Sequence, residues 1–218
     1  MRHRQYRNSP LANKSFSVSA AAYPYFLHPY NRTWNNERAV EIPIVLEHLR
    51  KVEPQGVLEV GNVLSHYYDV QHTVVDKWEK GDGVRVINED ILDYKPNRTF
   101  DFIVSISTVE HIGWDEKPQC PERVLEAFPK LQSLLRPQGK ALLTIPIGYN
   151  RFLDKCLHEK QVPFSEAFFM IRKNAANEWA ECDAATALEQ EYARPFPAAN
   201  ALAVLIMGGQ DERSKPSA

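Results

Sequence analysis

No acidic residue occurs before Glu37, although Arg2, Arg4, Arg7, Lys14 and Arg32 all lie in that stretch. An acid-free, Arg-rich start containing Ser and Ala suits either an organelle transit segment or a disordered basic arm, and the arm is the simpler reading. Cysteine is scarce as well. Cys120, Cys156 and Cys182 are odd in number and lack metal-ligand spacing, so they suggest reduced thiols and a cytoplasmic setting. No run approaches ~18 uninterrupted apolar residues, and the start lacks the apolar core of a secretory signal, so no membrane partner is expected. A net charge of −2 gives no electrostatic reason to expect nucleic acid. There is no internal repeat.

What is present is ordinary globular material. With 218 residues, 44% hydrophobic and 25% charged, the chain is long enough for one α/β domain with a sizeable core and short for two. Residues 1–20 read as a basic, disordered arm and 210–218 as a polar tail. Between them, 21–52 reads as a helical segment and 53–209 as the main domain.

Helical spacing of Ala39, Val40, Ile42, Val45, Leu46 and Leu49 predicts an amphipathic helix over 36–51, kinked or begun by Pro43. Strands follow at 57–60, 73–76, 84–88 and 102–107, with room between them for only short helices. A helix over 121–135 starts on Pro121, carries Val124, Leu125, Phe128 and Leu131 on one face, and ends at the 136–139 turn. A strand over 141–145 and a helix over 151–159 come next, then apolar runs at 164–171, 179–182 and 201–207. This alternation predicts a mostly parallel sheet with an antiparallel carboxyl-terminal edge.

Four groups of polar residues fall at the ends of successive strands: Glu59-Val60-Gly61-Asn62, Asp76-Lys77, Glu89-Asp90-Ile91 and Ser105 through His111. In an open parallel sheet those ends share one edge, where ligands bind. A glycine there admits a ligand close to the backbone, and an acid about 20 residues on takes ribose hydroxyls. A lone strand-end acid is more often a cap or turn residue; three in succession favour a nucleotide site.

The ordered set Leu58-Glu59-Val60-Gly61, Val75-Asp76, Glu89-Asp90-Ile91, Phe100 through Ser105, Val109-Glu110-His111 and Leu134 through Gly139 resembles the class I S-adenosylmethionine-dependent methyltransferases over roughly residues 55–150. Its small-molecule branch is the nearest likeness. The resemblance implies a Rossmann-like, doubly wound sheet, here with shortened first helices, under an amino-terminal helical lid. S-adenosylmethionine is the cofactor it implies. Glu59, Gly61 and Asn62 would then flank the methionine part, Asp76 with Lys77 beside it would take the ribose hydroxyls, and Asp90 the adenine amino group. Ile91 would pack on the ring, and Ser105 to Ser107 would floor the sulfonium. Where the family usually has a second glycine, two positions after Gly61, this chain has Val63. A nicotinamide site fits less well, because Gly61 through His66 does not supply Gly-x-Gly-x-x-Gly.

The Asn/Asp-Pro-Pro-aromatic run of related amino methyltransferases is missing after the fourth strand, and so are the Asp and Asn ligands of metal-dependent ones. The expectation is a metal-independent transfer to an oxygen, or another nucleophile, of a polar small molecule such as a sugar or secondary metabolite. His111 is the candidate general base, or else an imidazole capping the turn before Gly113; Glu110 is a second candidate catalytic residue, or a helix-terminal acid. Trp34 and Arg38 in the lid, with Trp114, Tyr149 and Asn150 after the fourth and fifth strands, are the candidate acceptor contacts. A non-catalytic relative that binds a nucleotide or protein partner is the alternative.

Overall fold

Runs rich in β-branched and large apolar residues give the sheet its centre. In the computed structural model, which describes residues 9–79 and 86–208, β3 (Val57–Val60) is buried along its whole length, as is nearly all of β6 (Phe100–Ile106). Such strands are covered on both faces. With β4 (Thr73–Val75), β5 (Val86–Ile87) and β7 (Leu135–Pro146) they form a parallel set. β8 (Glu166–Arg172), β9 (Trp179–Cys182) and β10 (Ala201–Gly208) continue it antiparallel, giving the order β5-β4-β3-β6-β7-β10-β8-β9. The strands run outward through β4 and β5 from β3 on one side and through β7 from β6 on the other. The carboxyl ends of β3 and β6 therefore flank the switch point at which open α/β sheets bind ligands.

The alternation of side chains along β3 divides the core. Leu58 and Val60 face α2 (Val124–Leu134) and α3 (Arg151–His158), while Val57 faces α1 (Arg38–Leu49). Val40, Ile42, Ile44 and Val45 of α1 are fully buried, each stabilising the fold by about 1.5–3 kcal/mol as an upper bound. Pro43 sits inside α1 and cannot donate to the Ala39 carbonyl. That carbonyl instead accepts the Phe26 N–H at 2.9 Å, so the proline that weakens the helix creates the acceptor that ties the leader to it.

Several boundaries differ from expectation. Residues 9–20 are not an arm: β1 (Ser15–Val18) pairs with β2 (Ala21–Pro24) in a hairpin that buries Leu11, Phe16 and Val18. The segment over 21–52 is accordingly part strand, part 3₁₀ turn (Tyr30–Asn35) and part helix. Tyr23 and Tyr25 pack on Phe16, and the Tyr25 hydroxyl accepts the Trp179 N–H at 2.8 Å, so these aromatics pin the leader to the sheet edge. The 136–139 turn is absorbed into β7, with a register shift opposite Phe100 and Phe102. The short α4 (Ala184–Leu188) was not expected. The first crossover holds only the 3₁₀ turn Leu64–His66. Positions 84–85 of the expected third strand, residues 1–8 of the basic arm and the 210–218 tail lie outside the described residues. Among the described residues, no helix is long and apolar enough to cross a membrane.

Candidate functional site

The loop after β3 is shaped by one glycine and one buried acid. Gly61 has φ +87°, and a Cβ there would lie 2.2 Å from Thr108 Oγ1, so the loops after β3 and β6 meet too closely for any side chain. Glu59 faces away from the strand-end cavity. Its Oε1 accepts the Val63 and Leu64 N–H groups at 2.9 and 2.8 Å, and its Oε2 lies 2.7 Å from His72 Nε2. Glu59 thus holds the loop from behind. The expected cofactor contact is corrected to a supporting one, because alternation along β3 turns this side chain toward α1.

A cavity of about 400 Å³ lies in front of that loop, at the lower end of the ~300–1,000 Å³ typical of ligand pockets. Gly61, Asn62, Asp76, Lys77, Asp90, Ile91, Ser107 and His111 all line it. Asn62 Oδ1 accepts the Ser65 hydroxyl at 2.5 Å, while its buried Nδ2 has no partner. Asp76 accepts three main-chain N–H groups, from Asn62 (2.8 Å), Trp78 (2.8 Å) and Glu79 (2.6 Å). Asp90 accepts from Leu92 N–H at 3.0 Å and from Lys77 Nζ at 3.0 Å. Burial pushes the Asp90 carboxyl up, but the Leu92 N–H, Lys77 and Arg123 outweigh it and hold it below the usual range. Glu116 bridges Lys77 and Arg123 across the cavity rim.

At the end of β6, Ser107 is forced to φ +41°. It is held there by its N–H on the Thr144 carbonyl (3.0 Å) and by its hydroxyl on Glu41 Oε1 (2.5 Å). Strain of this kind clusters at functional positions. Ser105 does not reach the cavity: it is wholly buried in mid-sheet with its hydroxyl unpartnered, which corrects its expected place in the floor. His111 stands at the rim, 45% exposed, with Nδ1 2.5 Å from Asp115 Oδ2. The same Asp115 oxygen accepts the Tyr149 hydroxyl at 2.8 Å. Burial, then that hydrogen bond, raises the Tyr149 phenol and keeps it protonated. Glu110 is buried behind His111, and burial with the neighbouring Glu41 charge raises its carboxyl well above the usual range.

The remaining candidates are dispersed. Asn150 is buried and structural, capping α3 through Leu153 N–H and donating to the Glu110 carbonyl at 2.8 Å. Trp114 lies outside the cavity lining, and its carbonyl accepts from Gln119. Trp34 packs on the core beneath the hairpin. Arg38 is ion-paired with buried Glu41 and does not reach the cavity. Tyr30 of the same segment stacks on His66 with ring centroids 4.4 Å apart, and neither lines the cavity. Sequence reasoning missed Trp78 and Glu116 among the lining residues. Trp78 stands one residue beyond an expected strand-end pair, whereas Glu116 is five beyond His111 and carries no such signal.

No protein-family model matches the chain, and no curated protein matches it in sequence. Solved structures do match its fold. N-methyltransferase NodS from Bradyrhizobium japonicum WM9, in complex with S-adenosyl-L-homocysteine, matches with TM-score 0.50 and 12% identity over 79% of this chain and 87% of that one. A possible histamine N-methyltransferase from Thermotoga maritima matches with TM-score 0.43 and 14% identity over 77% and 87%. A SAM-dependent methyltransferase from Archaeoglobus fulgidus gives 0.42 and 17% over 76% and 93%. The NodS match carries the conclusion that the fold is that of the class I S-adenosylmethionine-dependent methyltransferases.

Proposed function

We propose that the chain is an S-adenosylmethionine-dependent methyltransferase acting on a polar small molecule. The observation that carries this is the convergence of Gly61, Asn62, Asp76, Asp90 and Ile91 on one strand-end cavity, in a fold shared with an enzyme solved with S-adenosyl-L-homocysteine. The unpartnered Asn62 Nδ2 supports the fit, since it offers a donor to the cofactor's carboxylate from a buried position. Asp76 would take the ribose hydroxyls, Asp90 the adenine amino group and Ile91 the ring face. When bound, the cofactor would supply an electrophilic methyl group on a cationic sulfur. The protein's own work is to exclude water, orient the acceptor and take its proton. In this reading His111 receives the acceptor's proton at the rim, with Asp115 fixing its tautomer from Nδ1.

A specific observation favours the second reading, a non-catalytic relative. Asp76 has three of roughly four lone-pair sites filled by backbone N–H groups, one too many for two ribose hydroxyls to enter undisturbed. Cofactor entry then has to displace the Trp78 or Glu79 N–H. Thermal unfolding with S-adenosylmethionine, S-adenosylhomocysteine and NADH separates the readings. At ~100 Kd a native-state ligand adds about 2.7 kcal/mol. A saturable shift with both adenosyl ligands and none with NADH is expected; no adenosyl shift overturns the enzyme reading.

A further inference from the structure

Glu110 is 1% exposed, and neither of its carboxylate oxygens has a hydrogen-bond partner. Buried polar atoms are almost always satisfied, so a carboxylate with both oxygens open calls for an occupant. The neighbouring groups do not supply one. Arg38 is committed to Glu41, and Arg172, which faces Glu37, donates to the carbonyls of Asn35, Pro197 and Asn174. Glu41 Oε1 already takes Ser107 and Thr144. His111 Nε2 lies 3.6 Å from Glu110 Oε1, beyond hydrogen-bonding distance, with its other nitrogen on Asp115.

Aromatic faces border the same carboxylate. Tyr149 and Tyr192 meet edge to face, centroids 5.0 Å apart at 85°, and Tyr149 meets His111 at 4.7 Å and 68°. Both tyrosines feel the Glu110 charge. Perpendicular aromatic rings beside an unpaired buried carboxylate are the chemistry that recognises an ammonium group, through cation–π attraction and a charge-assisted hydrogen bond. A hydroxyl would fill one lone pair but leave the buried negative charge uncompensated; an ammonium brings three donors and the opposite charge.

We propose that Glu110 and the Tyr149–Tyr192 corner bind the acceptor's amino group, so that the acceptor is a small-molecule amine. This rests on the methyltransferase reading. The step assigned to Glu110 is a proton transfer: an N–H bond of the bound ammonium breaks, the proton forms an O–H bond on the carboxylate, and the electron pair stays on nitrogen as the nucleophile. His111, at the rim beside Glu110 Oε1, then offers the proton a way out. Burial and Glu41 raise the Glu110 carboxyl well above the usual range.

Isothermal titration of the full chain at pH 8 tests this, using S-adenosylhomocysteine first and then, at saturation, benzylamine and benzyl alcohol. Benzylamine is expected to bind at least tenfold more tightly than the alcohol, with the margin lost in Glu110→Gln. Equal affinities, no benzylamine binding, or a margin that survives Glu110→Gln overturns the proposal. If that variant does not fold, Tyr192→Leu is expected to weaken benzylamine severalfold, and unchanged affinity there overturns it equally. Failure of S-adenosylhomocysteine to bind sinks the methyltransferase reading itself, whereas its binding without an amine preference sinks only the acceptor assignment.

Discussion

Replacing Gly61 with alanine tests whether the two switch-point loops meet as described. The φ of +87° places an alanine in the left-handed region, which costs about 1–2 kcal/mol. The new methyl group would also stand 2.2 Å from Thr108 Oγ1, 2.6 Å from Cγ2 and 2.8 Å from Cβ, so Thr108 has to move. Overpacking of that kind costs about 1–3 kcal/mol, and Gly61→Ala should destabilise the fold by about 2–5 kcal/mol in total. Thr108→Ala removes the two nearest atoms, together with a hydrogen bond to the Ile106 carbonyl at 3.1 Å that is worth about 1 kcal/mol. The double variant should therefore be more stable than the sum of the singles by about 1–2 kcal/mol, while the backbone strain remains. Urea denaturation of the four proteins in a double-mutant cycle reads that coupling. A neutral Gly61→Ala, or strict additivity with Thr108→Ala, refutes the contact and with it the geometry assigned to the cavity floor.

Glu59→Ala strips acceptors from two buried N–H groups and the partner from His72, and should cost about 3–5 kcal/mol by denaturation; a loss under 1 kcal/mol would show that the loop stands without it. Asp154, whose Oδ1 is buried and unpartnered, has its carboxyl raised to about 6, chiefly by burial. A carboxyl raised on folding contributes stability that is present below its unfolded value and lost as pH climbs through its folded one. Wild-type stability should thus fall between about pH 4 and 6, by roughly 3 kcal/mol from this group, and Asp154→Asn should flatten that part of the profile; an unchanged slope in the variant contradicts the assignment. His111→Ala should lower turnover by about 10²–10⁴ without altering the S-adenosylhomocysteine thermal shift, and equal turnover would remove His111 from the chemistry. Cofactor binding should alter amide exchange at Trp78 and Glu79, where the Asp76 bonds have to open; unaltered exchange in a bound complex would mean that the ribose lies elsewhere.

The strands of the sheet were legible because parallel, doubly covered strands are written as mostly apolar runs, as in Val57–Val60, broken only by Glu59, and Phe100–Ile106, broken by Asp101 and Ser105. The leader hairpin was not. Its strands are four residues each, too short for alternation to stand out, and its turn is Ser19-Ala20 rather than an Asn-Gly pair, although both residues adopt positive φ (51° and 61°). The helix over Arg38–Leu49 was found despite Pro43, whose lost hydrogen bond is replaced from Phe26, a residue outside any local window.

For the site, sequence gives the position of a polar residue along the chain but only weakly its direction. Glu59 and Asp76 look alike as strand-end acids and share the parity of the pleat, yet one lies within its strand and the other beyond it. Glu59 lies within β3 and shares the α1 side with Val57, so it turns to His72 and the backbone of the loop. Asp76 lies one residue past Val75, where the strand has ended, and is free to turn into the cavity. Strand end, not parity, likewise separates Ser105, which stays inside the sheet with Ile103, from Ser107, which lies past Ile106 at positive φ and reaches the cavity. Glu110 carries the argument furthest. In the sequence the strand-end pair offers His111 as the first candidate base and Glu110 as a second catalytic candidate. Packing of α1 and the 149–150 turn over the sheet sets them apart, exposing the imidazole to the cavity rim and sealing the carboxylate behind it. One residue is then suited to exchange protons with solvent and the other to hold a charge away from it, and that division follows from tertiary burial alone.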